Sequence, residues 1–371
     1  MEEIFSDEKE AFAADVISPL FSWFSSSGKP LPWRASPTPY RVWISEIMLQ
    51  QTRTAAVVPY YERFLAELPD VPSLAAVADD RLMKLWEGLG YYSRARNLKR
   101  AANRILEEYG GELPRDVAAL RSLPGIGAYT AGAIASIAFG LPEPAVDGNV
   151  LRVLMRYYAS DADISLEKTK KAVADFLRAR YPEGKDAGRL TEALMQLGEN
   201  VCIPNGEALC DLCPLKSRCA AKAGHIVRLL PAKSPKKPRR IEERTVFLCR
   251  TGERYLIRKR PERGLLAGLF EFPEVVGTLT ESEGVAALAD LGIDAGELLP
   301  IGHAVHIFTH VEWHMTGYLT DCKKVPVGFI TARAEELEEK YAIPTAFRYF
   351  TDFIVKNKQN VNNSYDTEDK S

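Results

Sequence analysis

The sequence predicts a mainly α-helical N-terminal region followed by a smaller α/β region. Three observations predict it. Apolar residues recur at helical spacing from residue 8 to about residue 200. Residues 228–244, RLLPAKSPKKPRRIEER, then break every periodicity with proline and basic side chains, and read as a semi-rigid linker centred on 233–243. Beyond it, Thr245–Arg250 and Arg254–Arg260 read as a hairpin across Thr251-Gly252, with further strands and two helical segments up to residue 356. The polar tail, 357–371, is expected to be disordered. With 371 residues, 46% of them hydrophobic, the chain can bury enough core for two or three domains. The start carries no signal-peptide pattern, and no apolar run approaches membrane-spanning length, so a cytoplasmic place is expected and no membrane partner. A net charge of −2 announces no nucleic-acid partner, so any grip on one must come from local basic patches and backbone amides.

The first helical pattern, residues 8–25, ends in Ser25-Ser26-Ser27-Gly28. Leu31-Pro32-Trp33-Arg34 is too proline-rich for a helix, and Thr38-Pro39 opens the next one. There Tyr40, Trp43, Ile44, Ile47 and Met48 form an apolar stripe. Glu46 lies about 130° round from its middle, facing solvent or a cleft. Two glycines interrupt the pattern at WEGLGYY, residues 86–92, before Ala95, Leu98, Ala101, Ala102 and Ile105 restart it. Residues 120–139 read as two helices joined by the tight turn Pro124-Gly125-Ile126-Gly127. Its glycines allow close backbone approach, and the unpaired amides opening the second helix suit a phosphate, although a plain helical hairpin has the same signature. Asp147, ahead of Val150, Leu151, Val153 and Leu154, is a good N-cap.

Helices follow near 165–180 and 187–200, and then four cysteines, Cys202, Cys210, Cys213 and Cys219, spaced C-x7-C-x2-C-x5-C. Clustered thiolates in a chain of this size signal a metal site and not a disulfide framework. Their spacing is compatible with zinc or with an iron–sulfur cluster. Near the C-terminal end, HAVHIFTHVEWHMTGYL holds four of the five histidines, but its Val, Ile, Phe and Trp content favours strands over a helical metal site.

LPGIG followed about twenty residues later by VDGNVLR resembles the helix-hairpin-helix, Gly/Pro-Asp superfamily of base-excision DNA glycosylases. PYRVWISEIMLQQTRTAAVVPYYERF and WEGLGYYSRARNLKRAA narrow the resemblance to its adenine-specific branch, the MutY family, over residues 8 to 356. The resemblance implies residues 1–232 as catalytic region, with a six-helix barrel at about 30–140 and an iron–sulfur cluster domain from 1–29 and 141–225. It implies a Nudix-like domain at 244–356, carried by LIRKRPERGLLAGLFEFP. After EFP, however, EVVGTLTESEGVAALADLG lacks the acidic REUxEExGU box (U apolar) that holds magnesium in Nudix hydrolases, so pyrophosphatase activity is expected to be absent.

The same resemblance assigns Glu46 as catalytic acid and Asp147 as the carboxylate in the cleft, with Tyr129 and Asn149 orienting them. It gives Arg34 and Glu192 contacts to adenine, Gln51 and Tyr91 insertion into the opened duplex, and Gly125 and Gly127 a grip on phosphates. Phe308-Thr309-His310 matches the family's Phe-Ser-His loop, which recognises the oxidised guanine, and Thr309 keeps the hydroxyl. The four cysteines would hold one [4Fe–4S] cluster, despite one extra residue after Cys202 relative to the family's C-x6-C-x2-C-x5-C. Tyr129 stands where the endonuclease III branch has its Schiff-base lysine, so base excision without strand nicking is implied. The implied substrate is double-stranded DNA with adenine opposite 8-oxoguanine or, more weakly, guanine, acted on by a monomer at the bacterial nucleoid. Three rival readings remain: an endonuclease III-like lyase, disfavoured by Tyr129 and the extra domain; a Nudix hydrolase, disfavoured by the missing acidic box; and a non-catalytic mismatch binder.

Overall fold

The computed structural model describes residues 8–235 and 238–357. The chain divides into two compact units. Of the described residues, 8–76 form one with 96–235, and 77–95 form the other with 238–357. Of the tail expected from 357, only Asn357 is described, at the end of a helix, and the rest lies outside the described residues. Among the described residues no helix is long and apolar enough to cross a membrane.

The first unit is helical. Helix α1 (Lys9–Phe12) passes through a π-helical turn, Ala13–Ile17, into α2 (Ser18–Ser27). Residues 32–35, expected to be too proline-rich for a helix, form the single turn α3 (Pro32–Ala35), with Pro32 tolerated at its first position. Then comes α4 (Pro39–Leu49), opened by Pro39 and by Thr38, whose hydroxyl accepts the Arg41 amide at 3.3 Å. Helices α5 (Thr54–Glu67) and α6 (Val71–Ala76) follow. Helix α7 (Asp79–Trp86) belongs to the second unit, and α8 (Ser93–Tyr109) begins there and continues in the first. Helices α9 (Val117–Ser122) and α10 (Ala128–Ala133) form the expected hairpin, and α10 runs on into a π-turn, Ile134–Ala138. Then come α11 (Gly148–Tyr157), α12 (Glu167–Arg178), α13 (Lys185–Asn200) and the short α14 (Ala220–Ala223). Phe12, Val16 and Leu20 at the chain's start share one core with Leu154, Val173, Leu194 and Leu197, so α1 and α2 close against α11–α13.

Two glycines shape the hairpin. Gly125 has φ +80°, and a Cβ there would sit 2.7 Å from that of Asn97, so the turn requires glycine twice over. On α10, a Cβ on Gly132 would lie 2.3 Å from the Pro144 carbonyl oxygen. Its absence lets the extended segment that leads to Asp147 lie directly on the helix.

The second unit is built on a mixed seven-stranded sheet. Strand β1 (Arg240–Thr251) turns into β2 (Arg254–Lys259), with Thr251 opposite Arg254. Short strands β3 (Phe270–Glu271) and β4 (Glu274–Val276) pair with β2 and β1. After α15 (Glu281–Asp290) come β5 (Leu299–Ile307) and β6 (Val311–Asp321), an antiparallel pair, and β6 also runs parallel to the whole of β1. Strand β7 (Ile330–Ala332) and α16 (Ala334–Glu339) precede a last helix at 348–357. The order is β3-β2-β1-β6-β5.

Strand β1 starts at Arg240, inside the segment expected to be linker. Its first half, Arg-Ile-Glu-Glu-Arg, has no apolar alternation to betray it. It is held by the parallel ladder to Val311–Met315 and by polar partners: Glu242 accepts the Trp313 indole N–H at 2.9 Å, and Arg244 donates to Glu274 at 2.7 Å. Helix α15 follows EFP and opens with a capping box, in which the Glu283 carboxylate accepts the Thr280 amide at 2.9 Å.

Gly132→Ala tests the close approach of α10. Because backbone cannot yield as a side-chain tip does, the substitution should lower unfolding free energy by roughly 1–3 kcal/mol, read as a lower urea midpoint. An unchanged midpoint would show that the segment before Asp147 is free to move.

Candidate active site

Helix α4 is buried on nearly every side, not on the one expected stripe. Off that stripe, Val42, Ser45, Glu46 and Leu49, mostly small or apolar, line a cavity of about 380 Å³. Only 4% of Glu46 is exposed. The sequence signal was present: a helix with little polar surface beyond Arg41 has no solvent face to offer a glutamate.

Tyr129, in the first turn of α10, reaches into the cavity and donates its phenol O–H to Glu46 Oε2 at 2.5 Å. Asp147 caps α11, with Oδ1 accepting the Val150 amide at 2.7 Å and Oδ2 accepting the Asn149 side-chain amide at 2.7 Å. It is both the N-cap and a cavity carboxylate. Arg34 and Glu192 form an ion pair at 2.9 Å on the cavity wall, and Gln51, at φ +58°, lines the rim. Every cavity residue the sequence singled out in this unit is therefore brought together.

Burial raises both carboxyls, against different sets of partners. Burial drives the Glu46 pKa up to about 7; the Tyr129 hydrogen bond lowers it, the charges of Asp147 and Glu192 raise it and that of Arg34 lowers it. Burial also raises Asp147, but the Val150 amide, both Asn149 donors and the Arg152 charge favour its ionised form. The buried Tyr129 is pushed well above its ordinary value and stays a protonated donor.

Several contributors were missed in the sequence. Gln196 accepts from Arg34 at 2.6 Å and from the Lys29 amide at 3.1 Å. Arg152 is buried on α11, where it donates to Asn149 Oδ1 at 2.7 Å, to the Gly198 carbonyl at 2.8 Å and to the Cys202 carbonyl at 2.7 Å. One turn on, Arg156 reaches the Cys202 sulfur at 3.3 Å. Two arginines four apart in an otherwise apolar helix were the available signal. Tyr129 and Asp147 also border a larger cleft lined by Lys168, Lys170, Lys171 and Lys233, whose clustering depends on tertiary folding.

The four cluster cysteines line one small cavity. Burial, and after it the neighbouring thiols, push the Cys213 thiol up to about 12, and burial likewise raises Cys219. Among the described residues no three His, Cys, Asp or Glu are placed to hold a single ion. The extra residue is absorbed in the loop after Cys202, where the Leu209 amide returns to the Val201 carbonyl at 2.9 Å. Of the basic side chains there, Arg218 lies 3.6 Å from Asp15 and Lys216 donates to the Asp211 carbonyl.

In the second unit, Phe308-Thr309-His310 is the turn between β5 and β6, closed by the Phe308 amide on the Val311 carbonyl at 2.9 Å. Thr309 and His310 are exposed, and Phe308 packs edge-on to Trp313 at 4.9 Å. Tyr91, 45% exposed and held at φ +47°, bonds Thr309 through its hydroxyl at 2.7 Å. The turn leaves His303 and His306 on β5 and His314 on β6, so the histidine-rich stretch is not one continuous strand.

The sequence model of the HhH-GPD superfamily of base excision DNA repair proteins matches residues 44–179, and that of the NUDIX domain matches 245–352. An adenine DNA glycosylase of Mus musculus is 35% identical, over 83% of this chain and 70% of its own. One from Buchnera aphidicola of Acyrthosiphon pisum is 32% identical, over 81% and 85%. Among solved structures, a thermostable thymine-DNA glycosylase aligns over 59% of this chain and all of its own, at 26% identity and TM-score 0.54. An endonuclease III trapped covalently on DNA aligns over 60% and all of its own, at 25% and 0.51.

The buried Glu46 gives a stability test. Below the ordinary glutamate value of 4.5 the group is protonated in both states; as pH rises towards 7 only the unfolded chain releases the proton, so stability is lost across that window. Glu46→Gln should therefore be more stable than wild type at pH 8 by about 2–3 kcal/mol, and the gap should shrink towards zero by pH 5 in urea titrations. An equal gap at both pH values would mean that Glu46 is not held protonated.

Proposed function

The chain belongs to the adenine DNA glycosylase family, and on that premise we propose that it excises adenine paired with 8-oxoguanine, and more weakly with guanine, without cutting the strand. The observation that carries this reading is the pair of buried carboxyls in one cavity, Glu46 pushed towards neutrality and Asp147 supplied with donors. Adenine within the stack is out of reach, so the nucleotide is extruded, at a cost that a mispair reduces. The cavity has room for a purine between Glu46 and the Arg34–Glu192 pair, which reads its edge.

Glu46 is still substantially protonated near pH 7, and Tyr129 occupies its Oε2. The proton passes to adenine N7, the C1′–N9 bond breaks, and its electron pair leaves with the base. Asp147, whose carboxylate form is favoured and fixed by the Asn149 and Val150 donors, stabilises the oxocarbenium-like sugar. Water then adds at C1′ and gives up its proton to the Glu46 carboxylate, which restores the acid. Tyr129 cannot form an imine, and the lysines of the neighbouring cleft are read as partners for phosphates along the strand. Open space in front of Gly127 suits a further phosphate at the hairpin.

Cys202, Cys210, Cys213 and Cys219 fit a [4Fe–4S] cluster, in which each thiolate binds its own iron and the four need not converge on one point. Such a cluster would supply rigidity to its loop and not redox chemistry to excision. In the second unit, Thr309 accepts from N7–H of 8-oxoguanine, a donor that guanine lacks, while Tyr91 and Gln51 wedge the opened duplex.

Single-turnover assays on labelled A:oxoG, A:G, thymine glycol:A and A:T duplexes test this reading. Adenine should be released from the first fastest and from the second more slowly, with neither of the others cut. Glu46→Gln should abolish release while leaving A:oxoG binding nearly intact. Release by that variant at a wild-type rate, or strand nicking at thymine glycol, would overturn the assignment.

A further inference from the structure

The loop that carries Tyr91 is fastened at its other end by two charged side chains for which the chemistry above has no use. Glu87 follows directly on α7; its Oε1 accepts the Ile343 amide at 2.7 Å and its Oε2 accepts from Lys84 Nζ at 2.5 Å. The same ammonium donates to the carbonyls of Leu337, in the last turn of α16, at 3.3 Å and of Tyr341 at 3.1 Å. Three acceptors saturate a lysine, and orphan carbonyls at a helix C-terminus are where a cation is favoured. Both side chains are mostly withdrawn from water, at 10% and 25% exposure. Their target is itself pinned, because the Ala342 carbonyl accepts the Phe270 amide at 3.1 Å, beside β2 and β3.

From Glu87 the chain has little freedom to reach Tyr91. Gly88 (φ +96°), Gly90 (φ +67°) and Tyr91 (φ +47°) all sit in the left-handed region. The Trp86 indole donates to the Gly90 carbonyl at 3.1 Å, and Arg94 donates to those of Leu89 at 2.9 Å and Gly90 at 3.1 Å. A tyrosine at positive φ persists only where its surroundings over-determine it. Here they do so from both ends, Glu87 on Ile343 and Tyr91 on Thr309. A largely buried ion pair contributes little net stability and is better suited to fixing an orientation.

We propose that Lys84 and Glu87 are positioning residues, a clamp through which residues 337–343 of the C-terminal domain set the place of Tyr91 and with it the preference for 8-oxoguanine opposite adenine. The inference rests on the proposed roles of Tyr91 and Thr309.

The test uses the full-length protein and the ratio of single-turnover excision rates on A:oxoG and A:G. Glu87→Ala should lower that ratio roughly tenfold, the scale of one lost hydrogen bond to a charged group. Glu87→Gln, whose amide oxygen still accepts the Ile343 N–H, should retain most of it. In a Tyr91→Ala background, Glu87→Ala should change the ratio by less than about twofold, because coupled residues do not add. If Glu87→Ala does not fold, Lys84→Met enters the same cycle, with a smaller loss expected. A lower melting temperature with an unchanged ratio, or a loss that adds in full to that of Tyr91→Ala, would overturn the clamp alone. A wild-type ratio near one would overturn the reading of Thr309 and the clamp with it.

Discussion

Everything in the helical unit is subordinate to keeping one carboxyl out of water. A glutamate 4% exposed, with a phenol as its hydrogen-bond donor, is an expensive thing to fold around. Burial raises its pKa until protonation becomes the cheaper state near neutrality. That solution requires α4 to be central: α5, which follows it in the chain, and α10, from much farther along, pack against it directly. Glycine at 132 and the turn at Gly125 are consequences, since they bring Tyr129 and the segment before Asp147 to the same place.

Two carboxyls in one cavity would ordinarily share a fate. Burial raises both, but their partners differ: Glu46 receives one phenol, whereas Asp147 caps a helix, takes two donors from Asn149 and feels the Arg152 charge. The aspartate's cap role and its cavity role are thus one arrangement, because the N-terminal amides that a helix must satisfy are also what favours the anion. Arg152 then continues the chain of contacts to Gly198 and Cys202, so α11 carries the carboxylate at its start and the cysteine loop along its side.

The fold was legible wherever local chemistry decided it. The 8–25 helical run, the Thr38 cap, the Gly125 turn, the Asp147 cap and the β1–β2 hairpin all follow from residue types and spacing. Resemblance to a known family, not spacing, singled out Glu46, Tyr91 and Thr309. Legibility failed where partners are distant in the chain. The first half of β1 is charged and is a strand only because β6 lies beside it; Gln196, Arg152 and the lysines of the larger cleft gain their meaning from helices that meet after folding. Residues 77–95 gave no sign of grouping with the C-terminal unit, since the contacts of Lys84 and Glu87 are to backbone more than two hundred residues away.

The central claim is that the excision chemistry depends on a proton held by the buried Glu46. The most direct measurement is the pH profile of single-turnover adenine release at saturating enzyme, between pH 5 and 9. A rate that is level at low pH and falls about tenfold per pH unit above an apparent pKa near 7 is the predicted result, because the proton donor is progressively lost. A rate that stays level to pH 9, or that breaks near the ordinary glutamate value of 4.5, would contradict it.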